Sequence, residues 1–240
     1  MPVRAVVFDW GGTLTPWFDV DLEQRWLVYA QLLRPDSAHE LATTLAQGER
    51  YRWDRQFDSA GDTGTGALEA MFQECGIDTS SPEHTAALSQ YLQGWEPHTH
   101  TDPDAAPLLE RLRASGVRTA VLSNTMWPRW FHEQVLRRDG VLHLFDYLLF
   151  TSETESAKPH KSVFADVLYH LDALPEESVF VGDRLFDDIH GAQAVGMRAV
   201  WIPHTPLPAH QSTDLGIVPD ATAQRLADVW DIVQEWNRAE

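Results

Sequence analysis

The sequence has little cysteine, little lysine and no long apolar run, and each shortage narrows what the chain can do. Its single cysteine, Cys75, excludes an intramolecular disulfide and fits a reducing compartment. Beside "MFQE" that thiol reads as apolar filler rather than as a nucleophile. Basic side chains are scarce: 18 Lys and Arg face 36 Asp and Glu, a formal charge of −18. Such a field repels nucleic acid and anionic membrane, so neither is expected as a partner. An anionic small molecule would need local neutralisation by a metal ion or a placed cation. Lysine occurs only at Lys158 and Lys161. No apolar stretch is long enough to span a bilayer, and "MPVRAVVFDW" is charged too early for a signal peptide, so a cytoplasmic protein is expected.

Apolar residues make up 43% of the 240, enough for one large domain or a core with a smaller insert. Short β-branched runs recur at 3–8, 117–122, 147–150, 178–182 and 197–202. Helical periods lie between the later runs, at 104–115, 162–171 and 187–196. This alternation predicts an α/β fold with a parallel sheet covered on both faces. Residues 16–95 break it, carrying helical patterns at 21–33, 38–57, 66–76 and 82–95 but no strand signal. They read as a helical insert, and the polar "EPHTHTDPD" (96–104) reads as its return linker. The expected division is 1–15 with 97–240 as the core, and 16–96 as the inserted domain.

In parallel sheets of this kind ligands bind beyond the carboxyl ends of the strands. The first run ends in "DWGGT", which supplies Asp9, Trp10, Gly11, Gly12 and Thr13. The second ends in Ser123 and Asn124, Lys158 follows the third, and the fourth leads into "GDRLFDD" with Asp183, Asp187 and Asp188. Singly, these are a turn acid, a helix N-cap, a loop charge and an acidic first helical turn. Together at one sheet edge they make a phosphoryl site. Asp9 and Asp183 form a hard-oxygen cage suited to Mg²⁺. Lys158, Ser123, Asn124 and free backbone N–H groups around Gly11 and Gly12 are candidates to hold phosphoryl oxygens. With that charge shielded, a carboxylate can attack phosphorus. Trp10 and Trp17 flank the loop and are candidates to touch substrate, whereas Trp26 and Trp53 read as packing.

The Asp-x-x-Gly-Thr start, the Ser-Asn pair, Lys158–Pro159 and Gly-Asp-x-x-x-x-Asp at 182–188 resemble the haloacid dehalogenase superfamily, in particular hydrolases of the phosphoglycolate phosphatase type. The resemblance implies a Rossmann-like core, a helical cap inserted after the first motif, Mg²⁺, and a small phosphorylated metabolite as substrate. It implies Asp9 as nucleophile and Lys158 and Ser123 on the phosphoryl group. Asp9, the Gly11 carbonyl, Asp183 and Asp188 are implied as the metal site, Asp188 directly or through water. A monomer or homodimer is expected.

The pattern departs at Gly11, where family phosphatases carry a second Asp as general acid and base. Such a group contributes about 10²–10⁴-fold in rate. The family's dehalogenases also lack it, but they use no Mg²⁺ and lack the acidic motif present at Asp183 and Asp188. Phosphonoacetaldehyde hydrolases begin much like "FDWGGT" but need a cap lysine, and both lysines here lie in the core. What is left is a phosphohydrolase with a substitute acid, drawn from Asp19, Asp21, His98, His100 or Asp102. The alternative is a weak or inactive member that binds a phosphorylated ligand or partner. "HTHTD" at 98–102 reads as a solvated linker rather than a metal site.

Overall fold

The computed structural model describes residues 1–18, 20–58, 68–203 and 216–238. Its sheet contains β1 (Ala5–Phe8), β2 (Arg118–Ser123), β3 (Tyr147–Phe150), β4 (Ser178–Gly182), β5 (Arg198–Trp201) and β6 (Ala221–Thr222). All pairings are parallel and the order is β3-β2-β1-β4-β5-β6, so the expected α/β architecture is present. This is the doubly wound order, in which the chain reverses direction beside β1. Phe8 is in register with Val121 of β2 and Val181 of β4, which brings the ends of three strands side by side.

β1 is buried throughout because both faces of the sheet are covered, and it therefore reads as a continuous apolar run. Val6 and Phe8 join the layer packed by α5 (Ala105–Ala114), α6 (Arg129–Arg138) and α9 (Asp228–Arg238). Ala5 and Val7 join the opposite layer, packed by Val163, Phe164, Val167 and Leu168 of α7 (Lys161–His170). The spacing of those four residues is one helical stripe, and each fully buried side chain contributes about 1.5–3 kcal/mol.

Two helices and a strand lie outside the elements expected from sequence. α6 hides its apolar stripe among charges, α9 buries only Val229 and Val233 fully, and β6 has two residues. The continuous helix expected over 187–196 is instead a π-helical turn, Leu185–His190, followed by α8 (Gly191–Ala194). The cause is local: the N–H groups of Asp188 and Ile189 both donate to the Arg184 carbonyl, at 3.1 and 3.2 Å. The bond from Ile189 spans five residues, and such turns concentrate at functional sites.

Between β1 and β2 the described chain is helical: α1 (Leu22–Leu33), α2 (Ala38–Asp58), α3 (Leu68–Glu74) and α4 (Pro82–Gln93). Asp21 caps α1 through the N–H groups of Glu23 and Gln24, and Ser81 caps α4 with Pro82 at its first position. Trp26 stacks on Tyr91 at 3.9 Å, and Tyr29 stacks on Phe72 at 5.2 Å. This aromatic core runs on into the sheet layer through Trp95, Trp127 and Trp10. Among the described residues no helix is long and apolar enough to cross a membrane.

His132 of α6 is fully buried, stacked on Phe150 at 4.3 Å and edge-on to Trp10 at 4.6 Å. Burial pulls its pKa from 6.5 down to about 3. The fold therefore holds a neutral ring, whose stabilising contribution is complete above about 6.5 and lost as pH falls toward about 3. An NMR titration should find His132 unprotonated at pH 5, and thermal stability should fall on acidification less steeply in His132→Gln than in the parent. A protonated His132 at pH 5 would contradict this packing.

Candidate active site

The ends of β1, β2 and β4 and the chain beyond β3 deliver polar side chains to the same place. Asp9 follows β1 and its N–H donates to the Val181 carbonyl at 2.9 Å, which continues the ladder by one residue. Ser123 closes β2, and Asp183 follows Gly182 at the end of β4. Asp9, Ser123 and Asp183 are all buried. Lys158, beyond β3, is 2% exposed, and its Nζ donates to Asp9 Oδ1 at 2.6 Å and to Asp188 Oδ1 at 2.7 Å. The second oxygen of Asp188 accepts the Arg184 N–H at 2.9 Å, which the π-helical turn makes possible. Gly182 allows this approach, since a Cβ there would overlap the Asp188 carboxyl.

The electrostatics follow from burial. Burial raises the Asp9 pKa to about 6, and neighbouring Asp188 adds to the shift while Lys158 opposes it. Burial also lifts Asp183 well above the ordinary carboxylate range, reinforced by Asp9 and Asp188. Burial would lower Lys158, but the two carboxylates outweigh it and hold the ammonium charged. Arg184, also buried, pairs with Asp187 at 3.1 Å. Four buried carboxylates thus face two buried cations. Oxygens of Asp9, Asp183 and Asp188 lie within 4.8 Å of one another, and Asp183 Oδ1 is buried with no hydrogen-bond partner among the described residues. This donor set, short of positive charge and holding an idle hard oxygen, fits a divalent cation.

The haloacid dehalogenase-like hydrolase family matches residues 3–196. The chain belongs to that family. A glyceraldehyde 3-phosphate phosphatase of Methanopyrus kandleri is 28% identical over 97% of this chain and 98% of its own. A ribulose-1,5-bisphosphate 5-phosphatase of Halopiger xanaduensis is 30% identical over 93% of each. An (S)-2-haloacid dehalogenase of a Pseudomonas species is 28% identical over 88% of this chain and 89% of its own. Among solved folds, a haloacid dehalogenase-type phosphatase of Thermococcus onnurineus superposes with a TM-score of 0.67 at 24% identity, covering 96% of this chain and 98% of that one.

Within this haloacid dehalogenase-like hydrolase the candidate residues have distinct surroundings. Asp9, Trp10, Gly11, Ser123, Asn124 and Lys158 all border one cavity of about 470 Å³. Asn124 turns its amide to the backbone of Lys158, accepting its N–H at 2.9 Å and donating to its carbonyl at 3.0 Å. That pair of bonds fixes where Lys158 departs from the chain. The Gly12 N–H, expected to be free for a phosphoryl oxygen, instead donates to the Thr15 carbonyl at 2.6 Å. The loop closes on itself there, and Gly12 matters for the side chain it lacks. Its φ is +86°, and a Cβ would overlap Asp183 Oδ2 and the Trp17 indole. Trp17 Nε1 donates to that same Asp183 oxygen at 3.1 Å.

Gly11 is different. A Cβ there would meet only the Trp17 ring, at 3.6 Å, so the indole lies over the place where family phosphatases carry their acid. Of the substitutes named from sequence, Asp21 is occupied in capping α1 and His100 is 64% exposed beside Asp139. Asp102 accepts the Asp104 N–H at 2.8 Å. His98 borders the cavity, but its Nε2 lies 2.7 Å from the Arg25 guanidinium, and burial and Arg25 both lower its pKa. Asp19 lies outside the described residues. Trp26 is core packing as expected, whereas Trp53 borders the cavity with the Arg184 guanidinium 5.8 Å from its ring.

Sequence reasoning missed Arg184 and Glu49. Arg184 had a signal, its place directly after Asp183. Glu49 had a subtler one: it continues the stripe Leu41, Leu45 with a carboxyl where α2 turns to the core. The two glycines should respond oppositely to alanine. Gly12→Ala should lose at least about 1–2 kcal/mol from its backbone conformation alone, and Gly11→Ala should change denaturant stability by less than about 0.5 kcal/mol. Equal losses would contradict the Trp17–Asp183 contact over the loop.

Proposed function

We propose that this chain is a Mg²⁺-assisted phosphohydrolase that removes the phosphoryl group of a small phosphorylated metabolite through an aspartyl-phosphate at Asp9. The observation that carries this reading is the buried Lys158 ammonium bridging Asp9 and Asp188, beside the unpartnered oxygen of Asp183. Asp9 and Asp183, with the Gly11 carbonyl and Asp188, would hold the ion. When bound it supplies the positive charge that lets a phosphate dianion approach a carboxylate.

The chain's own residues supply the rest. Lys158 orients Asp9 and, as the phosphoryl group arrives, shares its protons with the phosphoryl oxygens. Ser123 borders the same end of the cavity and offers a hydroxyl to that group. Asn124 keeps the Lys158 backbone in place. Asp9 attacks phosphorus, the bond to the leaving oxygen breaks, and water then cleaves the acyl phosphate and restores Asp9. The acidic residues at 183 and 188 favour this chemistry over dehalogenation, which needs no cation cage. The phosphatase relatives at near full length point the same way.

In this reading residues 16–96 act as a cap over a core of 1–15 and 97–240. Support comes from the cavity itself, bordered by Asp9 and Lys158 on one side of that division and by Glu49, Arg50 and Trp53 on the other. Gly11 favours a second reading, a catalytically weak member that binds a phosphorylated ligand; saturable ester binding without turnover would be its signature.

Phosphate release from a panel of esters should require Mg²⁺ and vanish in Asp9→Asn. Lys158→Gln should lower kcat by about 10²–10³-fold, as removal of a preorganised donor does. Asp183→Asn should weaken Mg²⁺ binding by calorimetry, and unchanged affinity would place the ion elsewhere.

A further inference from the structure

Position 11 has no acid, yet a leaving oxygen that departs from phosphorus must acquire a proton. Among the described residues three carboxyls border the cavity: Asp9, Asp187 and Glu49. Asp9 is engaged by Lys158 and Asp187 by Arg184. Glu49, on α2, forms no ion pair among the described residues; its Oε2 accepts the Trp26 indole N–H at 2.7 Å. It is 4% exposed and, among the described residues, is the one acid of the inserted helices that lines the cavity. The substitutes expected from sequence are otherwise engaged, exposed or outside the described residues.

We infer that Glu49 is the proton donor to the leaving oxygen, in place of an acid at position 11. The inference rests on the phosphohydrolase reading above. In the first step Asp9 forms a bond to phosphorus, and the bond from phosphorus to the ester oxygen breaks with its electron pair on that oxygen. The oxygen takes the Glu49 proton, leaving a neutral alcohol and a Glu49 carboxylate. In the second step water attacks phosphorus and gives its proton to Glu49, while the bond from phosphorus to Asp9 breaks. Phosphate leaves and both side chains return to their starting state.

The surroundings of Glu49 suit both directions of transfer. Burial raises its pKa to about 7, opposed by the Trp26 N–H from α1, by Tyr91 from α4 and by Arg50 on its own helix. Burial keeps Tyr91 itself protonated far above that range, so it does not compete. A donor that ionises near neutrality is available as acid and, once ionised, as base. Its protonated form carries the first step, so turnover limited by that step falls as pH rises through about 7.

The test compares 4-nitrophenyl phosphate, whose leaving group departs unprotonated, with glycerol 2-phosphate, whose alkoxide does not. Glu49→Gln preserves an acceptor for Trp26. It should lower kcat on the alkyl ester by about 10²–10⁴-fold with little change in KM and abolish the fall near pH 7. It should still release a first equivalent of nitrophenolate at the parental rate. Glu49→Ala should regain alkyl-ester turnover on addition of formate. An unchanged alkyl rate, a first equivalent of nitrophenolate slowed as much as the alkyl ester, or a folded Glu49→Ala that formate does not rescue would overturn the inference. If the parent protein releases phosphate from neither ester, the phosphohydrolase reading itself fails, and Glu49's role falls with it.

Discussion

The buried ammonium of Lys158, held between Asp9 and Asp188, is the contact on which the arrangement of the strand ends depends. Three buried charges within hydrogen-bond reach are costly to desolvate, and removing one partner strands the others. The fold meets that cost with geometry. Asn124, beyond β2, fixes the backbone of Lys158, beyond β3; Lys158 then reaches the acids that follow β1 and β4. Four strand ends are tied by one cation, so a shift in any of them would disturb the others.

The charge balance of the site and its aromatic walls reinforce each other. Arg184 pairs with Asp187 while its guanidinium lies 5.3 Å from the Trp17 ring and 5.8 Å from the Trp53 ring. Indoles exclude water and lower the local dielectric, which strengthens every pairing inside and raises the cost of any charge left over. Asp183 shows that cost directly: one oxygen accepts from Trp17 and the other has no partner among the described residues. The same tryptophan covers Gly11. A Cβ at position 11 would stand in ordinary contact with that indole, 3.6 Å away.

Tilted and edge-on rings lead from the inserted helices into the sheet layer. Trp95 meets Trp127 at 4.9 Å, and Trp127 meets Trp10 at 6.0 Å, one residue from Asp9. Aromatic contacts of this kind are strong in area but tolerant of small displacements. They suit a boundary where a ligand cavity has to lie between two sets of elements. Glu49 sits at that boundary with its carboxyl among rings, and burial there is what moves it toward neutrality.

The sequence by itself determined the layered fold and the set of groups at the strand ends, because buried parallel strands leave continuous β-branched runs and their polar residues follow at once. Runs at 3–8, 117–122, 147–150 and 178–182 located β1 to β4, and Asp9, Ser123, Lys158 and Asp183 were legible from their place after them. Helices α6 and α9 were not assigned, since charged residues interrupt the apolar face of each, Phe131, Val135 and Leu136 in one and Val229, Trp230, Val233 and Trp236 in the other. The pairing of those groups was also hidden. That Asn124 serves the backbone of Lys158, that Gly12 closes its own loop, that Trp17 covers Gly11 and that Glu49 enters the cavity are decided by contacts between residues 23 to 166 positions apart or by loop geometry. Periodicity reports which face of an element is buried. Only the packed tertiary structure decides which neighbour each buried polar atom meets.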